Sequence, residues 1–122
     1  MQYLEDREQI ALFTWVRLME KEYPLLQLIY HTPNGGFRDK RTAAKLRAMG
    51  VKPGVWDIFI PAPSPPLWVE MKVGKNKLTL SQKKWKEDLE PYGYNFVTCY
   101  TWVEAARAIG LHLGIPEDKL PS

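Results

Sequence analysis

The sequence predicts an α/β domain: a mixed sheet of about four strands flanked by helices. Three observations lead there. Stretches near both ends carry apolar residues at three- and four-residue spacing, the period of an amphipathic helix. Between them lie short β-branched and aromatic runs separated by Gly- and Pro-rich breaks, the mark of short strands. The two kinds of element interleave as helix, strand, small basic helix, strand, strand, helix, strand, helix, an order that lays helices on the faces of a sheet.

The first helix is expected from about Leu4 to Glu22, with Ile10, Leu12, Phe13, Trp15, Val16 and Met19 on its apolar side and Pro24 ending it. Glu5 and Glu8 lie at its start. Acids there favour the helix dipole, and they equally have the reach to join a site. Leu25 to Thr32 reads as a strand, and Pro33-Asn34-Gly35-Gly36 as a loop, since Asn and Gly tolerate positive φ. The segment from Phe37 to Met49 carries Arg38, Lys40, Arg41, Lys45 and Arg47 against one acid, Asp39. Its second half is a short helix stopped by Gly50. This basic run is either a solvated helix face or a phosphate-contact surface.

Val55 to Ile60 is the next strand, with Val55, Asp57 and Phe59 on one face and Trp56, Ile58 and Ile60 on the other. The proline-rich stretch 61–66 lacks ladder donors and must connect two strands, expected to be antiparallel neighbours. Leu67 to Val73 follows as a strand. Trp68, Glu70 and Lys72 project from one face; Leu67, Val69, Met71 and Val73 project from the other. A basic loop, 74–78, leads to a helix starting at Thr79 or Ser81 and reaching about Pro91. Thr79 and Gln82 there fit a capping box. Lys83, Lys84 and Lys86 sit against the dipole in its first turns, a placement that phosphate would explain. Tyr94 to Tyr100 is the last strand, Trp102 to Leu113 the closing helix, and the tail from Gly114 is expected to be loosely held.

A chain of 122 residues suits one domain spanning 1–122. The formal charge of +3 gives a mild bias towards polyanions. A single cysteine, Cys99, leaves no internal disulfide and points to a reducing compartment. No apolar run approaches the ~20 residues that span a bilayer, so no membrane partner is expected. The polar, acidic N-terminus is not a secretory signal.

The chemistry concentrates between Gly54 and Gln82. Asp57 and Glu70 lie on neighbouring strands, and Lys72 shares a face with Glu70. Phosphodiester hydrolysis needs a metal to polarise the phosphate and activate water, plus a group to steady developing charge. Mg²⁺ takes oxygen ligands and keeps several waters, so two carboxylates and the Met71 carbonyl would suffice. Lys72 would orient the attacking water and offset charge. The competing reading is an exposed ion pair on a sheet face, worth up to ~1 kcal/mol.

Over nearly its whole length the chain resembles the VRR-Nuc family, a branch of the PD-(D/E)XK nuclease superfamily. The resemblance rests on Pro33-Asn34-Gly35-Gly36, Gly50-Val51-Lys52-Pro53-Gly54, Asp57, Glu70-Met71-Lys72 and Ser81-Gln82. It departs in one place: the proline usual before the first acid is Trp56 here. The resemblance implies a restriction-endonuclease-like core. It implies that Asp57 and Glu70 bind catalytic Mg²⁺ or Mn²⁺, that Lys72 is the catalytic lysine, and that Gln82 positions a phosphate or water. It also implies that a first-helix acid, Glu5 with Glu8 as rival, joins the metal site. Compact members come from phages and bacteria and resemble Holliday-junction resolvases. The expectation is therefore a homodimeric endonuclease for branched DNA, in the cytoplasm of a bacterium or a phage-infected host. Asn34, Arg38, Lys40, Arg41, Lys75, Lys77 and Lys83 are the expected DNA contacts. Five tryptophans leave apolar material for a core and an interface. A non-catalytic nucleic-acid binder on the same fold is the alternative; a sequence-specific restriction-type enzyme ranks below it, because no separate recognition element is evident. His31 and His112 read as too isolated for an HNH or zinc site.

Overall fold

The computed structural model describes residues 2–33 and 39–122. Four helices, α1 (Gln2–Met19), α2 (Lys40–Ala48), α3 (Leu80–Leu89) and α4 (Trp102–Leu113), accompany four strands, β1 (Tyr30–His31), β2 (Ile58–Ile60), β3 (Leu67–Met71) and β4 (Asn95–Cys99). The strands lie in the order β1-β2-β3-β4. β2 pairs antiparallel with both β1 and β3, and β3 pairs parallel with β4. The proline-rich connection 61–66 joins the antiparallel pair. The parallel pair needs a crossover, and α3 supplies it.

One face of the sheet is the apolar core. Ile58, Ile60, Val69 and Met71 pack there with Leu12 and Val16 of α1 and Ala105, Ala106 and Ile109 of α4, all buried. The opposite face is aromatic. Phe59 stacks on Trp68 at 4.3 Å between centroids, and Trp68 meets Trp85 of α3 edge-on at 5.7 Å. β3, central in the sheet, is buried along its whole length. Among the described residues no helix is long and apolar enough to cross a membrane.

Several boundaries differ from the sequence reading. α1 stops at Met19, whose carbonyl accepts from both Glu22 N and Tyr23 N in the following turn. The strand expected over Leu25–Thr32 is a 3-10 turn, Pro24–Leu28, followed by two strand residues. Proline at its start favours a helical turn, and the buried residues, Leu26 and Ile29, lie three apart, where a strand would bury alternate residues. The strand expected from Val55 begins at Ile58, so alternation does not govern Trp56. Its indole packs edge-on against Phe96 at 4.9 Å, away from Ile58 and Ile60. α2 begins two residues earlier than expected because Asp39 caps it, accepting from Thr42 N at 2.7 Å. The tail, expected to be loose, is docked: Ile115 is buried, Arg107 donates to the Pro121 carbonyl and pairs with Glu117, and Lys119 pairs with Glu22.

Candidate metal centre

The β2–β3 register, Ile58 opposite Val69, brings Asp57 level with Glu70 just beyond the last paired residue of β2. Side chains there take over from the backbone ladder. Asp57 N donates to Glu70 Oε1 at 3.0 Å, and Met71 N donates to Asp57 Oδ2 at 3.0 Å. The Asp57 carbonyl is held from the other side by Thr32 N at 2.7 Å and faces His31 Nδ1 at 3.0 Å. The first acid is thus fixed by three strands.

α3 fixes the second acid. Gln82 Nε2 donates to Glu70 Oε2 at 2.8 Å, while Gln82 Oε1 accepts from Thr79 N at 2.9 Å. The capping box expected from Thr79 and Gln82 therefore forms, with the same glutamine reaching the carboxylate. Trp56 Nε1 donates to the Gln82 carbonyl at 2.9 Å. Gly54 allows this close approach. Its φ is +84°, and a Cβ there would lie 2.3 Å from the Ser81 carbonyl oxygen.

Lys72 brings its ammonium to 3.6 Å from Glu70 Oε2. Glu70 is 3% exposed and Lys72 9%, so this is not the exposed sheet-face pair that the sequence left open. A buried pair bears a desolvation cost that its Coulomb attraction does not reliably cover. Burial, and then the charge of Asp57, push the Glu70 carboxyl up to about 8. Burial also raises Asp57, against the Met71 amide that favours its charged form. Glu5 is raised by burial too, with Lys72 opposing and Asp57 adding, so it faces this centre from α1. Glu8 is occupied elsewhere: its Oε1 accepts from Trp102 N, the first amide of α4, at 2.7 Å.

Two half-neutralised carboxylates held together out of water are what a divalent cation would relieve. Among the described residues no group of three or more His, Cys, Asp or Glu is placed to hold a metal. Asp57 and Glu70 are the carboxylates brought together here, and Glu5 faces them without completing such a group. That set fits Mg²⁺, which keeps much of its water, and does not fit a closed zinc site.

A solved structure described as a VRR_NUC domain protein matches 92% of this chain and 89% of its own at 28% sequence identity, with a TM-score of 0.75. The chain is similar in fold and sequence to that VRR-Nuc domain protein. No family model matches the chain, and no curated protein matches it. The likeness spans 92% of the chain, so the mixed four-stranded sheet with its helices is a PD-(D/E)XK-like core of nuclease type.

The expected DNA contacts are spread out. Lys40 and Arg41 stand exposed in the first turn of α2, Lys75 and Lys77 in the loop before α3, and Lys83 on α3. Asn34 and Arg38 lie outside the described residues. Lys84 and Lys86, which phosphate was invoked to explain, pair with Asp88 and Glu90 one turn on, at 2.8 and 3.6 Å. Sequence reasoning passed over His31. Its place against Asp57 follows from the β1–β2 register, and a two-residue strand gives too little pattern to read that register in advance.

Proposed function

We propose that this domain is a divalent-metal-dependent endodeoxyribonuclease, selective for branched DNA such as Holliday junctions, acting as a homodimer in the cytoplasm of a bacterium or a phage-infected host. The observation that carries the reading is Glu70: a carboxylate 3% exposed, beside a second acid, with Lys72 and Gln82 both directed at it. A protein that only bound nucleic acid would bear the cost of burying two adjacent acids to no purpose.

Asp57 and Glu70 would hold Mg²⁺ or Mn²⁺, with the Met71 carbonyl and Glu5 adding oxygen donors. Such an ion, when bound, polarises the scissile phosphate and acidifies a water. The rest falls to the chain. Lys72, in its buried position, orients the attacking water and offsets charge on the phosphate. Gln82 keeps Glu70 in one orientation and lies within reach of a phosphate oxygen or water. Lys40 and Arg41 of α2, Lys75 and Lys77 of the 74–78 loop and Lys83 of α3 would contact the backbone on either side, a surface whose affinity falls with salt.

A homodimer suits a junction with two scissile strands. Of Trp56, Trp68 and Trp102, the tryptophans the sequence offers for an interface, the first two are buried and Trp102 is half-buried. Ile10, Leu18, Leu28 and Tyr30, each more than half exposed, are the apolar groups left on the α1–β1 side. They support an interface there.

The test is one panel of junction, flap, splayed-arm, linear duplex and single-stranded DNA, incubated with Mg²⁺, alongside a mass measurement of the oligomer. The expected result is cleavage of branched forms, leaving 5′-phosphate and 3′-hydroxyl ends. It should be abolished by chelation and by Asp57→Ala, Glu70→Ala and Lys72→Ala. Binding without cleavage of any form, across several metals, selects the non-catalytic alternative.

A further inference from the structure

Next to the centre, on the Gln82 side, a cavity of about 310 Å³ lies between α2, the 51–54 loop and the first turn of α3. It takes in most of the Gly50–Gly54 motif, which plays no part in holding the metal. We propose that this cavity receives one unpaired nucleotide of the DNA strand beside the scissile phosphate. The inference rests on the nuclease reading and names what that site selects.

Three features argue for a nucleotide. Leu46, Val51 and Pro53 give the cavity an apolar wall, which a bare phosphate would not use. Arg47 and Lys52 stand exposed at its edge, and neither forms an ion pair with a carboxylate among the described residues. The N–H groups of Thr79 and Gln82 are already taken by the capping box. The two cations are the charged partners an anion would find here. An apolar body with an anion at each end describes a nucleotide within a strand, its flanking phosphates directed to Arg47 and Lys52. A cavity of this size sits at the small end of ligand sites and has no room for a base pair. Continuity with the centre is direct, because Gln82 lines the cavity and bonds Glu70.

The consequence is a source of structure selectivity. Taking a base out of a duplex costs a few kcal/mol, and least where the base is already unpaired. A flap, a splayed arm or a junction opened at its crossover offers such a base; a continuous duplex does not.

Two variants test this, one filling the cavity and one removing its cations: Ala43→Trp, and the double change Arg47→Ala with Lys52→Ala, which alters only exposed groups and keeps the test open if the first does not fold. For a branched substrate, KM should rise about tenfold with kcat unchanged. In the double variant the log–log salt dependence of binding should flatten by about 1.4, the single-strand value for two phosphate contacts. Titrating the wild-type protein with dAMP, without metal, should shift the amides of the 51–54 loop in ¹⁵N spectra. KM within twofold of wild type in the folded variants, or dAMP shifts confined to other segments, overturns the proposal while leaving the nuclease reading intact. Should no DNA be cut by the wild type while dAMP still shifts the 51–54 amides, the nucleotide site stands and the nuclease reading fails.

Discussion

Gln82 binds Glu70 with one end of its amide and the Thr79 backbone with the other, at 2.8 and 2.9 Å. The start of α3 and the orientation of the buried carboxylate are therefore one structural unit. Each partner fixes one end of the amide: Thr79 N–H requires the oxygen, and the carboxylate requires the NH₂.

That double use separates two variants. Gln82→Ala removes the side-chain half of the capping box and the support of Glu70, so it should lower stability by about 1 kcal/mol and weaken metal binding by about 10- to 100-fold. Thr79→Ala removes the hydroxyl that accepts from Gln82 N. It should cost about as much stability and leave metal affinity within a few-fold. Urea unfolding and Mn²⁺ titration calorimetry measure the two quantities; equal metal affinity in both variants would contradict the shared role.

Glu70 also sets a pH dependence. Its carboxyl holds a proton up to about 8 in the fold, against an ordinary 4.5. Between those values the folded state binds a proton that the unfolded chain has released, so stability falls as pH rises. This contribution is complete below 4.5 and lost as pH passes about 8; Asp57, raised in the same direction, adds to it. The metal-free protein should therefore melt lower at pH 8 than at pH 5, and Mg²⁺ should restore the loss by binding the ionised pair. Glu70→Gln should flatten the profile, leave the metal-free variant more stable than wild type at pH 8, and abolish the response to Mg²⁺. Melting curves at several pH values, with and without Mg²⁺, decide it.

Glu5 and Glu8 sit one turn apart on α1 and do different work. Glu8 accepts from the first amide of α4 across the fold. Glu8→Gln should cost about 1 kcal/mol, since the amide oxygen is a weaker acceptor than a carboxylate, and leave the metal response unchanged. Glu5 faces Lys72 and Asp57. Glu5→Gln should leave stability unchanged or slightly higher, because a partly buried charge is removed, and should weaken Mn²⁺ binding several-fold. The pair is checked by the same calorimetry with unfolding curves. A metal defect in Glu8→Gln alone would reverse the assignment.

How far the sequence carried differs from element to element, for physical reasons. Alternation was enough to put Glu70 and Lys72 on one face, since β3 is regular to Met71 and the Lys72 amide still pairs with the Cys99 carbonyl beyond it. The spacing of Thr79 and Gln82 was enough for the cap, because a capping box is a local device. The run Leu25–Thr32 was misread because a short apolar segment has no periodicity that distinguishes a strand from a helical turn. Trp56 was assigned to the wrong face because alternation was extended two residues beyond where the ladder begins. The roles of Glu8 and His31 depend on residues 94 and 26 positions away. Contacts at that range come from packing, which local pattern does not encode. The docked tail is of the same kind: Gly110 lets Leu120 come close, with only 2.2 Å between a Cβ built there and Leu120 Cδ2.

Two glycines with positive φ should separate local strain from close approach. Gly50 has φ +105° and open space where a Cβ would go, so Gly50→Ala meets backbone strain alone and should cost about 1 kcal/mol. Gly54 has φ +84° and places a Cβ 2.3 Å from the Ser81 carbonyl oxygen, a backbone atom that cannot rotate aside. Gly54→Ala must strain the loop and push back the first turn of α3, so its cost should exceed about 2 kcal/mol. The push acts on the turn that carries Gln82, and so reaches Glu70. Gly54→Ala should therefore weaken Mn²⁺ binding and Gly50→Ala should not, although neither glycine touches a carboxylate of the centre. Equal stability losses, or a metal defect shared by both, would mean that the 51–54 loop does not set the position of α3.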